Sequence, residues 1–434
     1  MRIGLVIAYV LLLCACTTPG ANAPIRASGI AMASVDSEGR IRSYAEGCAE
    51  FDQSGYECLR PLKVDSVIRV ASISKLVVAL GVMRLVEQGR LNLDADISRY
   101  LGYPIRNPIA ADRPITLRQL LSHTSSIIDA ESYALSLGQS LSSALADQSH
   151  WDVSHQPGSY FTYANINIVI VASIMERVTH ERFDRLMQRL VLHPLHVDAC
   201  YNWATCSDVA VQRAAVLYRT GPDETEWHHD GPWVPQVDDL KGKRPDCPVR
   251  RPDASVPCNL LAYLPGENGA LFSPQGGLRI SVGDLAKVAA LIVNEGKFGG
   301  VRLLKPATVR EWLRPQWQYN LGRLNGDDEN ASMCAFGLSI QLTARASSPA
   351  CQDDVFGDGI PRAGHIGEAY GLLGGVWIDP VGKTAYVYLI TGTSEDPLLW
   401  PGAFSSFSRA EELAAARASR LAARENRLNG FPSH

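Results

Sequence analysis

The chain is organised around the stretch Val70-Ala71-Ser72-Ile73-Ser74-Lys75, which continues directly into the apolar run Leu76-Val77-Val78-Ala79-Leu80-Gly81-Val82-Met83. Residues three apart share a helix face, so a helix that begins at Ser72 places the Lys75 amine beside the Ser72 hydroxyl. A helix N-terminus also presents unpaired N–H groups, which favour an oxyanion. The stretch therefore predicts a nucleophile with its base, and the alternative is a Ser N-cap followed by a surface Lys.

The N-terminal residues predict an export signal. Met1-Arg2 supplies a positive charge, and residues 3–13 form an apolar segment that is too short to span a bilayer in the usual way. The sequence Leu13-Cys14-Ala15-Cys16 is similar to the lipobox of bacterial lipoproteins. We therefore expect a signal peptide over residues 1–15 and lipidation of Cys16.

An alternative is ordinary cleavage after Ala23, but Pro24 would then follow the cut, where proline is poorly tolerated. With lipidation at Cys16, residues 16–27 form a tether, and the protein is periplasmic and attached to the membrane through its lipid anchor. No later segment has the ~18 consecutive apolar residues that a spanning helix requires.

The composition is that of a globular protein with a large core. Of 434 residues, 46% are hydrophobic, and 41 Lys and Arg against 45 Asp and Glu leave a net charge of -4. This near balance, without a basic run among aromatic residues, argues against nucleic acid as a partner.

Eight cysteines beyond Cys14 and Cys16 fall into four neighbouring couples. In an exported protein such couples predict local disulfides that hold loops together. Eight cysteines allow 105 pairings, so neighbour pairing is a hypothesis. It joins Cys48 with Cys58, Cys200 with Cys206, Cys247 with Cys258 and Cys334 with Cys351. A metal site is less favoured, because no couple has C-x-x-C spacing and no H-E-x-x-H occurs.

The remaining pattern predicts strands, then helices, then strands and a final helix. Helical periodicity dominates residues 114–265, and a capping box at residues 408–411 predicts the terminal helix. Strand patterns occupy residues 30–35, 41–45, 67–70, 336–342, 371–378 and 385–390.

This order predicts an α/β (α+β) fold in which an antiparallel sheet lobe is flanked by helices and interrupted by an inserted all-helical lobe. The sheet lobe is expected from residues 28–75 and 266–430, the helical lobe from residues 76–265, and the whole catalytic domain from residues 28–430. The cleft between the lobes is the expected place of the active site.

Two other stretches offer polar groups to such a cleft. Tyr163 and Asn165 lie two apart before a predicted helix, so they can present a phenol and an amide to one site. In Gly364-His365-Ile366-Gly367, glycines beside a polar residue allow a substrate backbone to approach closely. Taken alone, the first pair also fits an ordinary aromatic residue followed by an N-cap Asn.

Three short patterns, taken in order, resemble the class C β-lactamase and penicillin-binding serine hydrolase family. They are Ser72-x-x-Lys75, Tyr163-x-Asn165 and His365-x-Gly367. Residues 119–125 and 275–281 resemble the family's L-L-x-H-T-S-G segment and its glycine-rich return to the sheet lobe. The resemblance covers roughly residues 28–395 and implies a β-lactamase/transpeptidase-like fold.

Two positions depart from the family pattern. Ser126 stands where the family usually has glycine after H-T-S, and His365 replaces the lysine of true class C β-lactamases. H-x-G forms occur among the family's peptidases, esterases and amidases. His123 is expected to brace the helical lobe without bonding to substrate.

The resemblance implies an acyl-enzyme mechanism. Ser72 would be the acylated nucleophile, Lys75 its activator, and Tyr163 the group that relays a proton to the leaving atom and later activates water. Which of Lys75 and Tyr163 is the base stays open. Asn165 would bond an amide or the Lys75 ammonium, and the backbone N–H groups of Ser72 and Glu368 would hold the oxyanion. No metal or cofactor is needed.

The expected function is an exported serine hydrolase that acts on esters or small amides. Histidine at the position of His365 is mostly neutral and offers one donor, so it suits a substrate carboxylate less well than lysine, although Arg362 could supply a cation. The alternatives are a β-lactamase or D-alanyl-D-alanine carboxypeptidase, and a penicillin-binding protein that is acylated without turnover. The expected partner is a small-molecule or cell-wall peptide substrate.

Overall fold

The structure is a computed structural model, and it describes residues 25–222, 226–345 and 350–423. The predicted signal peptide and Cys16 lie outside the described residues. No helix within the described ranges is long and apolar enough to cross a membrane.

The strands are mostly short, and the long ones lie at the two ends of the chain. They are β1 (Gly29–Val35), β2 (Ile41–Phe51), β3 (Cys58–Pro61), β4 (Ile68–Arg69), β5 (Cys200–Tyr201), β6 (Leu217–Arg219), β7 (Val234–Val237), β8 (Leu278–Ile280), β9 (Lys297–Phe298), β10 (Val301–Arg302), β11 (Trp317–Gln318), β12 (Ala335–Phe336), β13 (Gln341–Thr343), β14 (Arg362–Ala369), β15 (Leu372–Asp379) and β16 (Thr384–Ile390).

Nine of these strands form one antiparallel sheet in the order β11-β12-β13-β14-β15-β16-β1-β2-β3. The first strand of the chain, β1, lies between β2 and the last strand, β16. This arrangement confirms the predicted sheet lobe that is built from both chain ends.

The helices occupy the middle of the chain and flank the sheet. They are α1 (Ile73–Glu87), α2 (Ser98–Leu101), α3 (Leu117–Leu121), α4 (Leu141–Leu145), α5 (Ile166–Thr179), α6 (Phe183–Met187), α7 (Asp208–Gln212), α8 (Val282–Val293), α9 (Pro306–Trp312) and α10 (Arg409–Ala423), with short 3-10 or π turns at Gln148–His150, Gln188–Leu192 and His193–Leu195.

The buried helix α1 lies where the sheet meets the inserted segment. Its run of Leu76, Val77 and Leu80 is fully buried, as the lack of polar positions after Lys75 predicts. It contacts α5 on one side and β14 on the other. Residues at its N-terminus therefore lie close to both parts of the fold.

Helices cover both faces of the sheet. Alternate residues of β1 point to opposite sides, so Ala31 and Ala33 share a core with α8 while Met32 packs with α10. The predicted capping box of α10 is confirmed, because Ser408 and Glu411 bond to each other's backbone N–H groups. Helix α8 is not among the sequence expectations.

The expected strand at residues 336–342 is interrupted. Its ends form β12 and β13, and between them the Gly337 N–H bonds to the Ile340 carbonyl at 2.7 Å. Ser339 takes φ +52°, and the Trp312 indole N–H bonds to the Leu338 carbonyl, which fixes the turn against α9. An alternating pattern of side chains cannot distinguish one strand from two strands joined by so tight a turn.

The regular elements of the inserted segment 76–265 are mostly helices but include strands, so the prediction of an all-helical lobe is corrected. Strands β6 and β7 pair with each other, and β5 joins β8. Trp233, just before β7, packs on Phe51 and Tyr218. This part of the inserted segment thus folds back onto the edge of the large sheet.

The four predicted disulfides are confirmed, and each closes a short loop. They join Cys48 to Cys58, Cys200 to Cys206, Cys247 to Cys258 and Cys334 to Cys351.

Candidate active site

A strained turn presents Ser72 at the start of α1. Strand β4 pairs with β8, and Ala71 then takes φ +45°, a left-handed conformation that is costly for a residue other than glycine. The Ser74 hydroxyl supports the turn by accepting the Leu278 N–H at 3.0 Å. Ser72 itself is half-buried and makes no side-chain cap to the helix.

The Lys75 amine is held by three contacts from distant parts of the chain. They are with Ser72 Oγ at 2.8 Å, Asn165 Oδ1 at 2.8 Å and the Gln275 carbonyl oxygen at 2.9 Å. Carbonyl oxygens only accept, so Asn165 and Gln275 each take an N–H from the amine. A neutral amine has two N–H groups and one lone pair, and the lone pair is then left for the Ser72 hydroxyl.

Burial decides the charge of Lys75. The side chain is fully buried, which excludes the alternative of a surface lysine. Loss of hydration lowers the pKa of Lys75 to about 7, and the charge of Asp129 opposes this shift. About half of the molecules therefore carry a neutral Lys75 near pH 7.

Asp129 positions Asn165, a role that no local sequence pattern indicates. Its carboxylate accepts the backbone N–H groups of Asn165 and Ile166 and the Asn165 Nδ2 amide at 2.8–2.9 Å. Because a carboxylate only accepts, the Asn165 amide nitrogen must face Asp129 and its oxygen must face Lys75. Asn165 does not cap α5 with its side chain, so the simple N-cap alternative is wrong.

The Tyr163 phenol lies on the other side of Lys75. Its ring centroid is 5.0 Å from Lys75 Nζ and 4.5 Å from the His123 ring. Burial of the hydroxyl raises the pKa of Tyr163 well above its usual range, although the neighbouring Ser72 hydroxyl opposes the shift. With its pKa raised, Tyr163 rests as a protonated phenol, and apart from the neighbouring Ser72 hydroxyl its OH group has no hydrogen-bond partner among the described residues.

The turn after α3 carries His123, which lies beside Tyr163, and Ser126. His123 Nδ1 accepts the Ala164 N–H at 3.1 Å, which ties the turn after α3 to the segment carrying Tyr163. Ser126 takes φ +62°, the conformation for which the family uses glycine, and its hydroxyl accepts from Asn107 at 2.8 Å. The departure from glycine thus keeps the same turn with a hydrogen bond added.

His365 reaches the site from β14, with its ring centroid 6.1 Å from that of Tyr163. Its Nδ1 lies 2.7 Å from the Ile366 carbonyl oxygen, which can only accept, so the single ring proton sits on Nδ1. Burial and the charge of Lys75 lower the pKa of His365 to about 3. In this arrangement the Nδ1 proton is engaged by the protein itself, and Nε2 is left as a buried acceptor.

Gly367 is required by close packing of the protein itself. A Cβ at this position would lie 2.4 Å from the Val70 carbonyl oxygen, so only glycine lets β14 close onto the turn before Ser72. The approach of a substrate backbone beside His365 and Gly367 stays a prediction. Glu368 follows on the exposed side of the strand.

Arg362 does not supply the cation that the sequence allowed for. Its guanidinium forms two hydrogen bonds to the Asp358 carboxylate, at 2.8 and 2.7 Å, and lies over the Phe356 ring. The side chain is 4% exposed. This arginine is therefore committed to the packing of the sheet.

A half-buried serine, a buried lysine whose pKa is lowered to about 7 and a protonated phenol, brought together where a sheet meets a helical segment, define a serine hydrolase. The family model described as Beta-lactamase matches residues 26–401, which is most of the chain. The protein belongs to the β-lactamase family.

Individual relatives align over shorter stretches. The chain is 29% identical to Protein flp of Staphylococcus aureus (strain N315) over 131 residues, which are 30% of this chain and 26% of that protein. It is 32% identical to Esterase EstB of Burkholderia gladioli over 196 residues, which are 41% of this chain and 48% of EstB. The chain thus matches about a quarter to a half of the length of these relatives.

The predicted fold class is confirmed by solved structures. The D-amino acid amidase from Ochrobactrum anthropi SV3, in complex with L-phenylalanine amide, superposes with a TM-score of 0.60 at 18% identity. The superposition covers 92% of this chain and 94% of the amidase. At this level of identity the similarity shows the fold alone.

Proposed function

We propose that the protein is an exported serine hydrolase that works through an acyl-enzyme on Ser72. The contacts of Lys75 carry this proposal, because two carbonyl oxygens occupy the N–H groups of a neutral amine and leave its lone pair 2.8 Å from Ser72 Oγ. A serine hydroxyl is a poor nucleophile at neutral pH and needs a base within hydrogen-bond reach.

Lys75, and not Tyr163, acts as the base in acylation. A base is most effective when its pKa lies near the working pH, and the pKa of Lys75 is about 7 whereas that of Tyr163 is raised well above its usual range. Ser72 Oγ attacks the substrate carbonyl carbon while its proton passes to Lys75 Nζ. The product of this step is a tetrahedral oxyanion next to a lysine ammonium.

Tyr163 acts as the acid when the tetrahedral intermediate collapses. The bond to the leaving oxygen or nitrogen breaks, the Tyr163 hydroxyl donates its proton to that atom, and the Lys75 ammonium returns a proton to Tyr163. The protonated hydroxyl of Tyr163 beside Lys75 supports this role. Water then repeats the sequence on the acyl-enzyme and releases Ser72.

The backbone N–H groups of Ser72 and Glu368 would hold the oxyanion. Strand β13 pairs with β14 only as far as Gly364, so the edge beyond it faces the Ser72 turn and not another strand. The close approach of Gly367 to Val70 brings this edge to the nucleophile. Each donor of this type contributes about 2.7–4 kcal/mol to transition-state stabilisation.

Esters or small amides are the proposed substrates. Supporting this choice, one relative is named an esterase, and His365 and Arg362 offer no N–H or free cation to a substrate carboxylate on the β14 side. The alternatives are a β-lactamase or D-alanyl-D-alanine carboxypeptidase, and a penicillin-binding protein that is acylated without turnover.

Export to the periplasm, with lipidation at Cys16, completes the proposal. The signal-like residues 1–15 and the four disulfides support it, since disulfides persist mainly in oxidising compartments. Stable attachment to a membrane usually requires two anchoring signals, such as two acyl chains, and the acyl chains on a lipobox cysteine provide them.

The Cys16→Ser variant is expected to lose membrane attachment. Fractionation of cells that express either protein measures this, and the mass of the mature N-terminus of the wild type should include lipid on Cys16. A wild type that begins after Ala23 would instead establish ordinary cleavage.

A fluorophosphonate probe is expected to add one label to the wild type and none to Ser72→Ala, as measured by intact mass. Ser74→Ala is the matched control from the same stretch, and it should still be labelled because the Ser74 hydroxyl is committed to the Leu278 N–H. Full labelling of Ser72→Ala would show that another residue is the nucleophile.

Asp129→Asn is expected to lower kcat/KM by about 10- to 100-fold, because Asn165 loses the partner that orients it. The Asp129 charge raises the pKa of Lys75, so its removal should also move the low-pH limb of the rate profile from about pH 7 to lower pH. A purely structural role would lower the rate without moving the limb. The exposed Asp112→Asn is the control, and a limb near pH 10 in the wild type would argue against Lys75 as the base.

The wild type is expected to have a kcat/KM for a neutral 4-nitrophenyl ester about 10- to 100-fold above that for a chromogenic cephalosporin, because a charge-assisted contact to the cephalosporin carboxylate is missing at His365. A D-alanyl-D-alanine peptide completes the comparison. Preference for the cephalosporin or the peptide would establish the corresponding alternative, and labelling without turnover would establish the third.

A further inference from the structure

A cavity of about 490 Å³ opens beside the proposed active site. Gln275, whose carbonyl holds Lys75, forms part of its wall, and so does Tyr370, which follows the end of β14. Arg69, three residues before Ser72, lies between them. The cavity therefore adjoins the nucleophile and has the volume of a small-molecule site.

Three arginines and two carboxylates line this cavity, but their charges are not distributed evenly. Arg279 is neutralised, because Asp238 forms two hydrogen bonds with it, at 2.9 and 3.0 Å, and both side chains are nearly fully buried. Asp238 also accepts the Trp203 indole N–H at 2.8 Å. The carboxylate of Asp238 is thus already paired with Arg279, whereas Glu131 is exposed at the rim of the cavity.

Arg69 is the cation left inside the cavity. Its Nε donates to the Gly276 carbonyl at 3.0 Å, and its guanidinium lies 4.4 Å from the centre of the Tyr370 ring. These contacts hold the planar group in one orientation. No carboxylate in the described parts of the chain comes within ion-pair distance of it. Burial and the neighbouring Arg279 lower the pKa of Arg69 to about 10, while the charge of Asp238 and the Tyr370 hydroxyl oppose this shift, so Arg69 stays a cation at neutral pH.

The cavity adjoins the reacting groups without being lined by them. Gln275 bonds Lys75, but Ser72, Lys75, Tyr163 and His365 do not form part of the wall. Because Tyr163 must reach the leaving atom, a substrate that fills this cavity would do so with its acyl part.

We propose that this cavity is an acyl-binding subsite in which Arg69 recognises a carboxylate at the far end of the substrate's acyl chain. The inference rests on the proposed function and narrows its substrate class to acyl groups derived from dicarboxylic acids or carrying an equivalent carboxylate. A guanidinium fixed in one orientation suits a carboxylate, because the two planar groups form paired charge-assisted hydrogen bonds. Arg250, exposed on the wall of the same cavity, adds positive potential.

The test compares two esters with acyl chains of equal length, mono(4-nitrophenyl) glutarate and 4-nitrophenyl pentanoate. The wild type should favour the glutarate ester, and Arg69→Met should lower the ratio of the two kcat/KM values by about 10- to 100-fold. Arg69→Lys should keep part of the ratio, and the exposed Arg99→Gln, outside the cavity, should keep all of it. Because the measured quantity is the ratio of two kcat/KM values for the same variant, a general loss of activity does not affect it.

A third ester, 3-carboxyphenyl pentanoate, carries the carboxylate on its alcohol part. Phenyl pentanoate is its uncharged reference. An Arg69-dependent preference for this ester, or a glutarate-to-pentanoate ratio that Arg69→Met leaves unchanged, would overturn the inference. Either result leaves the proposed hydrolase intact, because the neutral esters are still cleaved.

Binding without turnover separates the two proposals. By calorimetry, Ser72→Ala should bind glutarate monoanilide more tightly than pentanoic anilide, and the additional Arg69→Met change should abolish the difference. If no ester is cleaved but this difference is found, the subsite stands and the proposed function fails. If the two anilides bind Ser72→Ala equally, the subsite is refuted whatever the esters show.

Discussion

A single buried amine sets the conditions that the rest of the site must meet. An unpaired ammonium in the protein interior would carry a large desolvation cost, so Lys75 can be fully buried only where hydrogen-bond acceptors surround it and its charge is easily lost. The fold supplies two such acceptors from far along the chain, Asn165 and Gln275. The third contact is Ser72. The lone pair of the neutral Lys75 amine is therefore directed at the Ser72 hydroxyl, which needs a base.

The surroundings of Lys75 are rigid because each neighbour is held by another. Asp129 fixes the amide of Asn165, His123 fixes the segment that carries Tyr163, and Gly367 allows β14 to close on the Ser72 turn. Preorganisation of this kind contributes to catalysis because the groups need not be reordered during the reaction. The strained backbone conformation of Ala71 is consistent with a preorganised site, because the packing of β4, β8 and β14 around the turn holds Ala71 in that conformation.

Much of this arrangement could be predicted from the sequence. The spacing of Ser72 and Lys75, the buried helix after them, the strands near both chain ends and the four disulfides follow from local patterns, and the family resemblance joined Tyr163 and His365 to them. Asp129 could not be predicted, because its partners lie 36 and 37 residues away and nothing local marks the pairing. The proton position on His365 depends on one carbonyl contact. Strand periodicity likewise cannot reveal the turn at Ser339.

The position of β1 between β2 and β16 has a consequence for the order in which the chain acquires its structure. Ile30 pairs with Ile390, so the sheet stays incomplete until almost the whole polypeptide has emerged, and contacts this distant form slowly. The cysteine partners, in contrast, are separated by only 10, 6, 11 and 17 residues. Oxidation can therefore close four short loops in a chain that has no sheet yet, and each closed loop shortens the conformational search that remains.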